Sequence, residues 1–276
     1  MTDFYAKLIE KSGFDEALIR HALGFAKDID IHEFSRLFFD TEPFSVEKTG
    51  VLYFKEAFYP HEFYQKLKVL NLPLEVSSLF IYINLLEPSF KDFSSRINDE
   101  SIFFSTTKKL AKAANDYYKQ NGSYGLYDYR FIANHVRGSI LRLGSFEYQY
   151  GEYDGKRAII LHLPDGADLS KEKRLFSYSL ARQYFGTFPI IGDSWLLWNE
   201  HKKMLSEDSS ILDFMDDFDI ISTHETYDYS ELFHVFGRLS DYSYDKLPKE
   251  TSLQRAYADR VKNGLPIGSA TGILKY

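Results

Sequence analysis

Apolar side chains in the first 121 residues recur at steps of three and four, the spacing that lines up one face of an α-helix. The pattern begins with Phe4, Leu8 and Ile9 and returns up to Tyr117. It predicts a run of helices. We expect the helix boundaries at residues that form turns or break helices, namely Gly13, Asp30, Pro43, Pro60, Pro73 and Pro88.

The most hydrophobic segment of this half covers residues 72–88 and predicts a central buried helix. The helical pattern stops at Asn121-Gly122, where a glycine-rich polar turn follows. We therefore place a domain boundary there, between a helical N-terminal domain of residues 1–124 and a second domain of residues 125–276.

In the second domain the spacing of apolar residues changes from that of helices to that of β-strands. After one more predicted helix at residues 129–143, two β-prone runs flank Tyr153-Asp154-Gly155-Lys156. An Asp-Gly pair between such runs is a strong signal for a β-hairpin. The second run, residues 158–163, ends at a proline and predicts a buried strand with Ile159 and Leu161 on one face.

Helices and strands alternate beyond the hairpin. A helix should begin after Ser170, with Phe176, Leu180 and Tyr184 on its apolar stripe. GDSWLLW, residues 192–198, predicts a short strand, and helices capped again at Ser210 follow it. A β-prone region at residues 219–238 precedes a last helix, which opens with a Thr251–Gln254 capping box and ends before Gly264.

These elements predict an α+β protein in which a mixed β-sheet flanked by helices follows an all-helical N-terminal domain. The glycine-rich tail GLPIGSATG, residues 264–272, reads either as a phosphate-wrapping segment or as a loop, and the loop is favoured.

The composition of the chain argues against several kinds of partner and site. The formal net charge of −7 argues against nucleic acid as a partner, because phosphate backbones require a basic face. The chain contains no cysteine, and its eight histidines have no HExxH spacing, so we expect no metal. No apolar run is long enough to cross a bilayer, and the acidic N-terminus is unlike a secretory signal, so we expect no membrane partner and a cytoplasmic location.

Gly192-Asp193-Ser194 resembles the nucleophile block of GDSL-type serine hydrolases. A serine nucleophile requires a base and a group that orients it. The companion motifs of that family are missing, so the hydrolase remains a minor alternative.

A chain of short phrases in the second half points elsewhere. They are LRLGSFEY (141–148), LHLPDGADLS (161–170), the spaced Ser177, Ala181 and Phe185, DSWLL (193–197), SSILDF (209–214) and LPKETSLQRA (247–256). In this order they resemble a family of bacterial acyltransferase-domain proteins, which join a helical N-acyltransferase N-terminal domain to a GNAT-like C-terminal domain.

The resemblance implies an acyl-CoA site. In GNAT enzymes the pantetheine lies between two splayed parallel strands, and the pyrophosphate binds backbone N–H groups at the start of the next helix. The residues that correspond to this cofactor-binding site are Leu161, Leu163, Pro164, Gly166, Ser170 and Lys171. Two departures stand out: the usual Gln/Arg-x-x-Gly-x-Gly/Ala signature is absent, and Asp193 stands where relatives tend to carry histidine.

Four polar residues are the candidate catalytic groups at this cleft. Glu147 or His162 would take the proton from an attacking amine. Asp193 lies beside them, and Ser194 would either hydrogen-bond the pantetheine or protonate the leaving thiolate through water. Glu147 reads equally as an exposed strand residue, and His162 as a structural histidine. Lys171, Lys173 and Arg174 are either contacts for a nucleotide phosphate or a solvated helix face.

The sequence therefore predicts an acyl-CoA-dependent N-acyltransferase that moves a small acyl group, with acetyl-CoA preferred, to a small-molecule or peptide amine by direct attack in a ternary complex. The alternative is a catalytically silent GNAT-like module that binds a ligand, or a protein partner through the helical domain.

Overall fold

The computed structural model describes residues 2–40, 44–47, 52–57, 61–239 and 241–276. The chain divides into two compact units: Met1–Leu143 with Glu147–Lys156, and Gly144–Phe146 with Arg157–Tyr276. The boundary expected between residues 124 and 125 falls inside the first unit, and as a domain boundary it stays a prediction.

The predicted run of helices is confirmed in the first unit. Its helices are α1 (Asp3–Ser12), α2 (Glu16–Phe25), α3 (Ile31–Phe39), α4 (His61–Lys68), α5 (Leu74–Arg96), α6 (Glu100–Asn121) and α7 (Tyr129–Arg137). Gly13 and Gly122 end α1 and α6 in the left-handed conformation, and the Asp30 side chain caps α3. Pro43 and Pro60 lie outside the described residues.

The central helix α5 is longer than the sequence suggested. Pro88 was expected to end it, but the helix continues to Arg96 with Pro88 inside it. Leu79, Tyr82 and Leu86 are fully buried on α5, and Ser89 and Phe93 beyond the proline are buried as well. Packing on both sides of Pro88 therefore outweighs the hydrogen bond that the proline removes.

The first unit also carries strands, which corrects the expectation that its N-terminal part is purely helical. β1 (Phe44–Glu47) and β2 (Leu52–Ala57) are antiparallel, and β2 pairs with β4 (Phe146–Tyr153). A short β3 (Leu141–Leu143) pairs with β4 as well. The helix predicted to reach residue 143 ends at Arg137, because Gly138 adopts a φ of 74°.

The predicted Asp-Gly turn follows β4. Asp154 and Gly155 both have positive φ, of 50° and 69°. This is the requirement of a two-residue type I′ turn, whose twist matches that of the strands it connects. The hairpin signal is therefore confirmed, and the chain continues into β5 (Lys156–His162).

The second unit contains the predicted mixed sheet. After β5 come α8 (Lys171–Phe185), β6 (Ile190–Ser194), α9 (His201–Met204), α10 (Ser210–Met215), β7 (Phe218–Thr226), α11 (Phe233–Phe236), α12 (Ser252–Lys262) and β8 (Ile267–Leu274). The strand order is β5-β6-β8-β7. β5 and β6 are parallel, whereas β8 is antiparallel to both of its neighbours.

The glycine-rich tail is neither a loop nor a phosphate wrap. It forms β8, an interior strand of this sheet. A Cβ on Gly268 would lie 2.5 Å from the Trp198 Nε1 atom, and one on Gly272 would lie 3.0 Å from the Phe218 Cβ. The glycines are therefore needed for close approach between the strand and its neighbours.

Helix α8 turns a different face to the core than the one expected. Its Phe176 is 55% exposed, whereas Ser177, Ala181 and Phe185 are buried. The predicted apolar stripe is therefore wrong: the buried face is formed by the residues one position further along, together with Arg174 and Tyr178.

Two element boundaries predicted beyond α8 differ from those in the structure by a few residues. The strand expected at residues 192–198 is β6, which starts at Ile190 and gives way to a 3₁₀ turn after Ser194. The cap of α10 is Ser209 rather than Ser210. The Thr251–Gln254 capping box and Gly264 beyond the end of α12 are confirmed.

A hydrophobic cluster fills the part of the second unit next to α12. Trp198, Leu232, Tyr257 and Ile267 are among its buried members, and Trp195 packs against it. Among the described residues, no helix combines the length and the hydrophobicity that a bilayer crossing needs.

Candidate functional site

The parallel strands β5 and β6 stop pairing before either strand ends. Their register runs from Ile159 opposite Ile190 to Leu161 opposite Gly192. Beyond that level, β6 continues through Asp193 and Ser194, which pair with Thr271 and Ala270 of β8. The carboxyl end of this parallel pair therefore lies at the level of His162 and Asp193.

Two of the four candidate catalytic residues lie at the same level at this carboxyl end. His162 follows Leu161 directly, and Asp193 follows Gly192, so the two residues stand one step beyond the last paired level of adjacent strands. Ser194 is one residue further along β6, and successive side chains of a strand point to opposite faces of the sheet. All three residues are half-buried, and the Nε2 atom of His162 is buried.

The hydroxyl of Ser194 already has a structural task. Its oxygen accepts a hydrogen bond from the Leu196 N–H at 3.2 Å and so caps the 3₁₀ turn at Trp195–Leu197. Among the described residues, no histidine is hydrogen-bonded to this hydroxyl. The arrangement offers no support for a Ser-His nucleophile of the hydrolase type, while the hydroxyl proton is still available for donation.

The chain after β5 makes a tight turn. The Ala167 N–H donates to the Pro164 carbonyl at 3.1 Å, and Gly166 has a φ of 71°. Positive φ at the third position suits a type II turn, which explains the glycine. Pro164 is buried and Leu163 is half-buried, whereas Gly166 is exposed and faces open space.

The N-terminus of α8 follows this turn. Ser170 occupies the N-cap position, but its side chain makes no capping hydrogen bond. The Asp168 carboxylate accepts a hydrogen bond from the Ser170 N–H at 2.8 Å, and this bond lowers the pKa of Asp168. The N–H groups of the first helical turn, which starts at the exposed Lys171, therefore remain for an external acceptor.

The three basic residues in the first turn of α8 differ in their exposure to solvent. Lys171 and Lys173 are exposed, whereas Arg174 is 3% exposed and forms an ion pair with Asp217 at 2.7 Å. Both expectations for Arg174, a phosphate contact or a solvated face, are therefore wrong. Its guanidinium belongs to the interior of the second unit.

Glu147 belongs to the first unit, where it is buried and not an exposed strand residue. Its Oε2 lies 3.1 Å from the His135 Nε2, and its Oε1 lies 3.8 Å from the Arg142 Nη1. Burial alone would raise its pKa, but the charges of His135, Lys109 and Arg142, with the His135 hydrogen bond, lower it to about 2. A carboxylate with so low a pKa is a weak general base near neutral pH.

His135, the partner of Glu147, belongs to none of the motifs in the sequence. It is 1% exposed, and its second ring nitrogen, Nδ1, lies 3.4 Å from the Phe131 carbonyl oxygen on the preceding turn of α7. Only the position of His135 three residues after Ile132, on the buried face of a strongly amphipathic helix, could have indicated a packed histidine.

A second buried histidine lies in the other unit. His201 is fully buried, and its Nε2 is 2.9 Å from the Tyr257 hydroxyl. Burial lowers its pKa to about 4, the Leu196 backbone opposes this shift, and the Arg260 charge adds to it. The neighbouring Trp195 is half-buried, and its ring meets the His201 ring edge-on.

An open groove of about 430 Å³ runs along α12. Its lining includes Met204, Arg255, Asp259, Arg260 and Leu265, and none of the candidate site residues. Among the described residues, no group of three histidine, aspartate or glutamate side chains is placed to hold a metal ion.

Comparison with known proteins supplies the family. The model of a family described as the GNAT-like C-terminal domain matches residues 133–274, just over half of the chain. No protein of curated function matches this chain.

Solved structures of acyltransferases are similar to the chain. One, in complex with CoA and 10C-teicoplanin, is 22% identical with a TM-score of 0.66 over 72% of this chain and 66% of the neighbour. A mutant acyltransferase with octanoyl-CoA is 18% identical with a TM-score of 0.74, over 99% of this chain and 88% of the neighbour.

A third neighbour, in complex with decanoyl-CoA, is 19% identical with a TM-score of 0.68 over 94% of this chain. The chain spans just under two thirds of the first neighbour's length. At these identities the neighbours establish a shared fold, which confirms the predicted α+β architecture with its GNAT-like mixed sheet. With the family match across the whole second unit beyond residue 157, we conclude that the chain belongs to the GNAT-like C-terminal domain family.

Proposed function

We propose that the protein is an acyl-CoA-dependent N-acyltransferase. The observation that carries this proposal is the sequence of elements at the carboxyl end of the parallel pair β5–β6: the Gly166 turn and then the first turn of α8. The pantetheine arm would lie at this end of the pair, and the N–H groups at the helix start would accept the pyrophosphate. The acyltransferase neighbours crystallised with CoA, octanoyl-CoA and decanoyl-CoA support the same assignment.

The chemistry would proceed by direct attack. The amine nitrogen of the acceptor forms a bond to the thioester carbonyl carbon, and the C–S bond breaks to release the CoA thiolate. The nitrogen loses its proton to a base, for which His162 is the better candidate because the pKa of Glu147 is about 2. Ser194 donates toward the thiolate, directly or through one water, and Asp193 lies at the level of His162.

The donor and acceptor are the finer part of the proposal. We expect a small acyl group, with acetyl-CoA as the first donor to test, and a small-molecule or peptide amine as the acceptor. Two neighbours were crystallised with teicoplanin or a form of it, which supports a small-molecule acceptor. Octanoyl-CoA and decanoyl-CoA are the appropriate longer donors for comparison.

Ligand binding tests the proposal without a known acceptor. At a hundred times its dissociation constant, CoA or acetyl-CoA should stabilise the fold by about 2.7 kcal/mol, seen as a rise in Tm. No shift with CoA, acetyl-CoA, octanoyl-CoA or decanoyl-CoA at millimolar concentration would remove the acyltransferase proposal.

Two matched glycine variants test where the CoA phosphates bind. Gly166→Val forces a β-branched residue into positive φ, as does Gly264→Val, and both glycines are exposed with open space around them. Each variant should lose about 1–2 kcal/mol of folding stability. Only Gly166→Val should weaken CoA binding, by about tenfold for one lost charge-assisted hydrogen bond. Equal CoA affinities in the two variants would place the phosphate elsewhere.

A silent binding module is the second candidate. The Asp168 carboxylate takes the Ser170 N–H and puts a negative charge at the start of α8, where a pyrophosphate would have to bind. If CoA fails to bind, this local charge is the reason we would examine first. The partner would then be sought with the helical region as bait.

A further inference from the structure

Among the described residues of the second unit, the most buried charged side chain belongs to the first turn of α8. Arg174 is 3% exposed although Lys171 and Lys173, in the same turn of the helix, are exposed. Its ion-pair partner Asp217 is 4% exposed. A buried ion pair is weak evidence for stability, because desolvation offsets the attraction, so its geometry is the better guide to its role.

The guanidinium of Arg174 bonds in three directions. Nη1 donates to the Leu169 carbonyl at 2.5 Å, Nη2 donates to the Asp213 carbonyl at 3.1 Å, and Nε donates to the Asp217 Oδ2 at 2.7 Å. The arginine therefore ties the segment before α8 to the end of α10 and to the residue preceding β7.

Asp217 is itself held in place. Its Oδ2 accepts a hydrogen bond from the Tyr178 hydroxyl at 3.0 Å, and its carbonyl accepts one from the Lys275 N–H at 2.9 Å, just after β8. The network thus connects the end of the α8 turn to the sheet. The polar atoms of Arg174 are directed at protein acceptors, so this side chain is not itself a phosphate ligand.

We propose that Arg174 is a positioning residue for the pyrophosphate loop. The proposal rests on the proposed function. An anion site at a helix start needs N–H groups turned toward the ligand and carbonyls turned away from it. By bonding the Leu169 carbonyl from inside, Arg174 keeps that oxygen away from the loop surface. In this chain, which lacks the glycine-rich phosphate signature, a buried arginine fixes the loop instead.

The test compares a donor that has the phosphate-bearing half of CoA with one that lacks it. Affinities for acetyl-CoA and for S-acetylpantetheine, which has the same thioester arm but neither the pyrophosphate nor the adenosine 3′-phosphate, are measured by calorimetry or by competition. Arg174→Lys keeps the charge, but an ammonium group cannot reproduce the three-way fork. We expect the preference for acetyl-CoA over S-acetylpantetheine to fall at least about tenfold, the equivalent of about 1.4 kcal/mol.

Tyr178→Phe is the matched control, since it removes a hydrogen bond to Asp217 while the Arg174–Leu169 contact stays. Its preference for acetyl-CoA should remain that of the wild type. A role in stability alone would lower both affinities together or leave the preference unchanged in Arg174→Lys, and would overturn the inference. Asp217→Asn, which keeps the shape of the network but weakens the pair, is measured in the same way if Arg174→Lys does not fold.

The two proposals fail differently. A wild-type protein that binds no CoA overturns the proposed function. A wild-type protein that binds acetyl-CoA, with an Arg174→Lys variant of unchanged preference, overturns only the role of Arg174.

Discussion

The two compact units each bury one histidine in a hydrogen bond, and the partners differ in kind. His135 faces the carboxylate of Glu147 at 3.1 Å, whereas His201 faces the hydroxyl of Tyr257 at 2.9 Å. Both rings are almost completely inaccessible to solvent.

The partner decides which group of each pair has the shifted pKa. In the first unit it is the Glu147 carboxylate, whose pKa burial raises but which the charges of His135, Lys109 and Arg142 and the His135 hydrogen bond lower to about 2. In the second unit it is the histidine, since His201 faces a phenol at Nε2 and burial lowers its pKa to about 4. Near neutral pH, burial therefore leaves a charged carboxylate in one unit and a neutral ring in the other.

The largest effect should follow from breaking the ion pair. Glu147→Gln leaves His135, Arg142 and Lys109 without their common carboxylate, so unfolding by urea at pH 7 should require about 3–5 kcal/mol less. The exposed Glu207→Gln is the control and should change the free energy of unfolding very little. A loss below about 1 kcal/mol for Glu147→Gln would show that the carboxylate is not stabilised by its neighbours as described.

Acid titration separates the two histidine sites. The pKa of Glu147 is about 2 in the folded protein and 4.5 as the ordinary value, so its contribution is present above pH 4.5 and is lost as the pH falls from 4.5 to 2. The pKa of His201 falls from 6.5 to about 4 on folding. The unfolded chain therefore binds this proton first, and stability falls as the pH drops from 6.5 toward 4.

Of these two sites, only His201 should contribute to the pH dependence of stability from pH 6.5 to 4.5. Wild-type protein should lose about 2–3 kcal/mol of unfolding free energy from it, and His201→Phe should remove that part of the pH dependence. Glu147→Gln should retain it. If both variants show the same slope in urea unfolding across this range, the pH dependence does not come from His201.

A smaller effect should come from the phenol. Tyr257→Phe removes the hydroxyl that bonds His201 Nε2 and leaves that nitrogen buried without a partner, at a cost of about 1–2 kcal/mol in thermal or urea unfolding. Tyr227→Phe, on a 71% exposed side chain, is the control. A larger loss than that of Glu147→Gln would reverse the order of the two pairs.

The smallest effect belongs to Ser194, which lies outside both pairs. Ser194→Ala removes the cap of the 3₁₀ turn, worth about 0.5–1 kcal/mol, and a donor for the leaving thiolate. Turnover, followed as thiol release from acyl-CoA in the presence of an amine acceptor, should fall several-fold and persist. Complete loss of activity would favour a serine nucleophile over direct attack.

The candidate site could be read only in part from the sequence. The neighbouring positions of His162, Asp193 and Ser194 follow from two parallel strands, which the sequence resemblance had suggested. The role of Glu147 could not be read in this way, because no local spacing in the sequence connects it to its partner His135, which lies on a helix twelve residues earlier. Arg174 was misread for the same reason, since Asp217 is 43 residues away.

The sequence by itself determined the local elements: the helices of the first unit, the Asp154-Gly155 turn and the Thr251–Gln254 capping box. Their stabilising contacts lie within a few residues, so periodicity and turn chemistry reveal them. Only the tertiary structure decided that the tail becomes the interior strand β8, that α5 runs through Pro88, and that Arg174 and Glu147 are buried in ion pairs. Each of these depends on atoms contributed from distant parts of the chain, and such long-range partners leave no periodic trace in a single sequence.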